Sequence, residues 1–206
     1  MTTNVFVDNL GIQILSLSTV AMLVLYVTVE MYLRYRKGMK NVYETEVPGT
    51  MPLFILGLYI TLSGFWGQLA WTLPGSYNIL FYDPYTILGI IILSGSVSVF
   101  RKTPLQYVGF LSLLAGFVTI FYGYEAYILN MTNSPFNTML LYVFFGIAAI
   151  FAYPVSLIVD RVDRGSMDNK IWMGFLVIFW IMLLASALMA GYIGFTAIGH
   201  HLFKAP

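Results

Sequence analysis

Six long apolar runs, separated by short polar intervals, organise this chain. Uncharged stretches occupy roughly 10–29, 51–73, 84–100, 105–124 (the apolar run continuing past Glu125 to 129), 136–159 and 171–199. A helix needs about 20 apolar residues to cross the hydrocarbon core of a bilayer, and most of these runs reach that length. The third is the shortest. With flanking residues added, the pattern predicts helices over about 10–33, 51–73, 84–100, 104–129, 136–159 and 171–199. The expected fold is therefore an all-α integral membrane protein, a six-transmembrane-helix bundle that forms one transmembrane domain over 1–206. No basic residue precedes the first run and no small-residue cleavage site follows it, so it reads as a retained helix rather than a signal peptide.

The basic residues orient these spans. Arg34, Arg36, Lys37 and Lys40 follow the first span, Arg101 and Lys102 the third, and Arg161, Arg164 and Lys170 lie between the fifth and sixth. Only Lys204 falls on the other face, so nine of ten basic residues share one side. Cytoplasmic loops carry the excess of Lys and Arg. Both termini are therefore expected on the outer face of a cell membrane, and an odd number of spans would destroy the sorting. The cluster after the first span also suits anionic lipid headgroups.

Composition narrows the chemistry. The chain is 59% apolar and 9% charged, with a mean hydropathy of +0.82, against about 25% charged residues in soluble domains. Lipid is its expected solvent, and nothing points to nucleic acid. Cysteine is absent, which excludes disulfides, thiolate metal sites, iron–sulfur clusters and cysteine nucleophiles. The two histidines, His200 and His201, are adjacent, so a bis-histidine haem pair across two helices is excluded too. No cofactor is expected.

An internal repeat is also visible. Pro52-Leu53, Gly57, Leu62 and Gly64-Phe65 recur as Pro104-Leu105, Gly109, Leu114 and Gly116-Phe117, at an offset of 52. Pro84, Gly95 and Phe100 return as Pro135, Gly146 and Phe151, at an offset of 51. The unit is a helical hairpin, 52–101 and again 104–152, repeated in one orientation. The first and sixth spans are expected to pair as a third, permuted copy. Leu10-Gly11-Ile12 and Ile14-Leu15-Ser16 echo Leu88-Gly89-Ile90 and Ile92-Leu93-Ser94. Parallel repeats occur in transporters, but duplication also builds scaffolds.

Few polar residues interrupt the spans. Glu30 precedes Arg34 by four positions, the favourable order for an ion pair on one helix face. Asp83-Pro84 and Ser134-Pro135 read as N-cap and first-turn signals, which makes capping the expected role of Asp83. Glu125 stands among Tyr122, Tyr124 and Tyr127 with no basic residue within four positions. It reads either as part of an interfacial aromatic belt or as an intramembrane carboxylate with a function. Glu125, with Gln68, is the candidate for a transport or polar pathway. Gln68, Trp66 and Trp71, with Ser94, Ser96 and Ser98, suit contacts between helices.

His200 and His201 share the outer face with Glu125, Asp83 and Asp8, a donor set that zinc or copper accepts. Adjacent histidines at a helix end are more often simply solvated. Asn130-Met131-Thr132 is a glycosylation acceptor triplet in an outer loop. Tyr43–Gly49 reads as a solvated connector. The tip from Pro74 to Tyr82 reads as a loop opened by Pro-Gly, yet it is rich in apolar and aromatic residues. Tyr77, Ile79, Phe81 and Tyr82 are therefore expected to contact a partner, since exposed apolar patches mark contact surfaces.

That same tip, Trp71-Thr72-Leu73-Pro74-Gly75-Ser76-Tyr77-Asn78-Ile79-Leu80-Phe81 with Asp83-Pro84, resembles a signature of an archaeal family of multi-pass membrane proteins. The family is described only as a domain of unknown function. The resemblance implies an archaeal cytoplasmic membrane and carries over no catalytic residue. Small size, few buried charges and the apolar tip point to a scaffold or accessory subunit of a larger membrane complex, respiratory or otherwise redox-active. Its partners are then lipids and other membrane subunits, or further copies of itself. The alternative is a small-solute, ion or proton transporter or channel using Glu125. A membrane enzyme with Glu125, Asp83 and the histidines at its site stands third.

Overall fold

The computed structural model describes residues 9–38, 42–163 and 170–203. Six helices account for nearly all of them: α1 (Asn9–Arg36), α2 (Val42–Ala70), α3 (Ser76–Arg101), α4 (Gln106–Ile128), α5 (Pro135–Asp163) and α6 (Lys170–Phe203). No strand occurs among the described residues. Each helix is long and apolar enough to cross a membrane, as the run lengths predict. Large apolar side chains such as Ile55, Leu62, Phe117, Phe121, Leu188 and Phe195 remain exposed around the bundle, a surface suited to hydrocarbon rather than water.

Consecutive helices pack side by side, and α6 returns to pack on α1, which closes a ring. The closest pairings are α2 with α3, α4 with α5, and α1 with α6. Their intimacy has a local cause. A Cβ on Gly57 would lie 2.7 Å from the Leu93 backbone nitrogen, and one on Gly89 would lie 2.6 Å from that of Thr61. In the α4–α5 pair, a Cβ on Gly116 or Gly146 would approach the other's carbonyl oxygen to 2.6 or 2.8 Å. Small residues let helix backbones approach where lipid supplies no hydrophobic drive to associate. On α1–α6, Ser18 Oγ donates to the Ala187 carbonyl at 2.7 Å, and Gly194 leaves room for Leu15.

Two helix starts differ from those expected. α2 begins at Val42, so the connector proposed over Tyr43–Gly49 is helical, and Tyr43 and Glu46 are buried. Pro48 and Pro52 lie inside this helix. α3 begins at Ser76, which turns the supposed tip loop into two helical turns. Asp83 is therefore no N-cap, and Pro84 sits inside the helix. A proline there removes the N–H that would return to the carbonyl four residues back, here Leu80. The Tyr142 hydroxyl of α5 donates to that Leu80 carbonyl instead, at 2.7 Å. The expected helix start at Asp83-Pro84 thus lies inside a longer helix, where a tertiary hydrogen bond replaces the backbone bond that the proline removes. Pro135, by contrast, is the first residue of α5, as proline at N1 should be.

Candidate functional site

The bundle has a basic end and an opposite end. At the basic end, Arg34 pairs with Glu30, as expected, and its Nε also lies 3.7 Å from Glu46 Oε1. Lys102 Nζ reaches Glu44 Oε1 at 2.6 Å. Asp160 of α5, only 5% exposed, organises this end. Its carboxylate accepts the backbone N–H groups of Leu105 at 2.8 Å and Gln106 at 3.0 Å, and the Tyr43 hydroxyl. A carboxylate against the first free N–H groups of a helix is a capping interaction supplied in trans by another helix. Beside it, the Arg161 guanidinium sits 4.5 Å above the Trp172 ring centre, a cation–π contact.

The opposite end holds a second polar network. Asp83, half-buried, accepts from Gln68 Nε2 at 2.9 Å and from the Tyr122 hydroxyl at 2.8 Å, which joins α2, α3 and α4. Tyr85 shares hydrogen bonds with Ser16 at 3.0 Å and Ser63 at 3.3 Å. Asn78 accepts from Leu73 N at 3.1 Å and donates to the Gly67 carbonyl at 3.2 Å, closing the α2–α3 turn. Intramembrane polar groups are costly unless paired, and these are paired with one another.

Two apolar cavities lie along the ring axis. One, of about 80 Å³, lies in the half away from the basic end, among α1, α3, α4 and α5. The other, of about 180 Å³, lies in the half toward the basic end, between Val27, Leu53, Val99, Val155 and Phe179. Ile91 borders both. No charged side chain lines either. Gln13 borders the smaller cavity, and it is 4% exposed. Its side-chain amide makes no hydrogen bond to any described residue.

The expected site residues distribute unevenly over this geometry. Gln68 is committed to Asp83. Glu125 is half-buried, bonds no described residue through its carboxylate, and borders neither cavity. Tyr82 is a correction: instead of facing a partner it is 0% exposed, with its hydroxyl 2.6 Å from Thr72 Oγ1 and its ring filling the space that Gly67 leaves. Helical winding also turns Leu80 and Asn78 inward and places Phe81 against the smaller cavity. Tyr77 and Ile79 stay exposed, and Tyr77 stacks on Phe81 at 6.4 Å.

Asn130 is exposed after α4, in a left-handed conformation at φ 48°. His200 and His201 fall in the last turns of α6, but their side chains, with Asp8 and Lys204, lie outside the described residues. Among those residues no group of three His, Cys, Asp or Glu could hold a metal. Sequence reasoning missed Asp160, Tyr142 and Gln13. The signal for Gln13 was present: a lone amide inside an uncharged span is expensive in hydrocarbon.

Neither the curated proteins nor the solved structures contain a match to this chain. A family model described as "Protein of unknown function (DUF981)" matches residues 1–204. The chain belongs to that family.

Proposed function

We propose that this protein is an accessory subunit of a larger membrane assembly, held in a cell membrane with both termini outside. The observation that carries this reading is the commitment of two acidic groups within the helices, Asp83 and Asp160, to internal hydrogen bonds. Asp83 is taken up by Gln68 and Tyr122, and Asp160 by Tyr43 and the α4 N-terminus. Such groups fix helix positions and leave little for moving charge. The basic side chains Arg34, Arg36, Arg101, Lys102 and Arg161 gather at one end, which the positive-inside rule makes cytoplasmic. The similar glycine seams of α2–α3 and α4–α5, with α1 on α6 as a third pair, support duplication of one hairpin around a pseudo-threefold axis. An archaeal membrane and a redox partner belong to the same proposal.

Exposed Tyr77 and Ile79 are the contact residues it retains, beside exposed Trp71 and Leu69. Electrophoresis of mild-detergent extracts under native conditions tests it. The wild-type chain should migrate in a larger assembly, and Tyr77→Ser with Ile79→Ser should release it with six spans still inserted. A strictly monomeric wild type would refute the proposal.

The transporter reading has one observation in its favour, the stacking of two cavities along the ring axis around Ile91. It would have to use Glu125 from outside that axis.

A further inference from the structure

We infer that the smaller axial cavity is a binding site for a membrane-soluble molecule with a single hydrocarbon chain and a neutral hydroxyl or carbonyl head. The inference is independent of the accessory-subunit reading. Gln13 carries it. The residue is 4% exposed, it borders the cavity, and its side-chain amide has no partner among the described residues. An amide in apolar surroundings without a hydrogen bond is costly, so a group inside the cavity is called for.

The lining decides the chemistry of that group. Water needs two to four polar partners, and the other hydroxyls here are engaged. Tyr85 bonds Ser16 and Ser63, Tyr142 bonds the Leu80 carbonyl, and Thr119 bonds the Ala115 carbonyl. A water beside Gln13 would find no free donor except the amide itself, because the hydroxyls of Tyr142 and Thr119 have already given their protons to carbonyls and offer only spare lone pairs. An ionic head is disfavoured because no charged side chain borders either cavity, and an unpaired charge away from water is strongly penalised. A neutral oxygen fits, because a primary amide donates to a carbonyl and accepts from a hydroxyl.

The remaining walls, Leu10, Ile14, Leu17, Leu88 and Phe145 among them, suit methylene groups. The volume of about 80 Å³ holds only a head and the first carbons of a chain. Beyond Ile91 lies the larger cavity of about 180 Å³, also apolar. Apolar cavities of roughly 150 Å³ stay dry and take up hydrocarbon. Rotation of Ile91 would let one chain run from the Gln13 head site into this second space.

The test is native mass spectrometry of the full-length protein released from detergent, with deuterated dodecan-1-ol, dodecan-2-one and dodecane added. These share a chain length and differ in the head, so they separate hydroxyl from carbonyl recognition. At least one oxygen-bearing compound should bind one-to-one and more tightly than dodecane. Gln13→Leu, an apolar replacement of similar size, should weaken that binding about tenfold, the loss of roughly one hydrogen bond, and leave dodecane unaffected. Ala115→Leu projects a larger side chain into the same cavity and should reduce all three, which keeps the inference testable if Gln13→Leu misfolds. Equal binding of the three compounds, unchanged affinity in Gln13→Leu, or no adduct at all would overturn it. None of these outcomes depends on whether the chain migrates in a larger assembly.

Discussion

Replacing Tyr142 with Phe removes one oxygen and leaves the ring in place, so it isolates the bond that lets α3 continue through Pro84. Leu80 and Tyr142 are 3% and 7% exposed, and their hydrogen bond measures 2.7 Å. Without the hydroxyl, the Leu80 carbonyl loses a donor that Pro84 cannot replace. A buried polar group left unsatisfied costs about 1–3 kcal/mol, whereas hydrogen bonds within membrane proteins contribute about 0.6 on average and about 1.7 at most. The expected destabilisation is therefore about 1–2 kcal/mol, which is about a five- to thirty-fold change in the folded-to-unfolded ratio. Unfolding of the purified protein in mixed micelles, titrated with a denaturing detergent, measures it.

A second background makes the argument specific. Pro84→Ala restores an N–H four residues after Leu80, so the carbonyl regains a helical partner. Tyr142→Phe should then cost at least ~0.5 kcal/mol less than it does beside Pro84, a coupling of the size that contacting pairs show. Equal cost in the two backgrounds would show that Tyr142 matters for some other reason. No cost in either would refute the reasoning.

Gly67→Ala should destabilise the bundle strongly, by about 2 kcal/mol or more, because its Cβ would overlap the Tyr82 ring and overpacking of this kind costs ~1–3 kcal/mol. Gly174→Ala meets nothing within 4 Å and should be neutral or slightly stabilising in the same titration. Asp160→Leu should cost about 2–4 kcal/mol, since it uncaps α4 and removes the buried carboxylate that accepts from the Tyr43 hydroxyl; Asp160→Asn, which keeps one accepting oxygen, should cost about half as much. Single cysteines at Gly38 and Thr103 should be shielded from an impermeant thiol reagent in intact cells while one at Ser76 reacts, and labelling at Thr103 would break the proposed orientation. Glu125→Gln should leave stability within about 0.5 kcal/mol, as substitutions away from packed or paired groups usually do, and loss of a transport activity in that variant would favour the rival reading.

Six helices long and apolar enough to cross a membrane were legible in the linear order of residues, because a span is a local property: some 20 apolar residues in hydrocarbon have to satisfy their own backbone, and a helix does so within the segment. The Glu30–Arg34 pair was legible for the same reason, since four residues fix its geometry. The glycines at 57, 64, 109 and 116 were visible as a spaced pattern, but the side chains they accommodate, such as Thr86 and Ser156, were not. What α3 does at Asp83-Pro84 could not be read locally. A capping signal and a helix-breaking residue stood together there, and the outcome depended on a hydroxyl 58 positions later in the chain, at Tyr142. The inward turn of Tyr82, the capping of α4 by Asp160 and the isolation of Gln13 beside a cavity likewise belong to the ring of helices. Each depends on which groups packing brings together and which it keeps apart, and no segment of sequence fixes that alone.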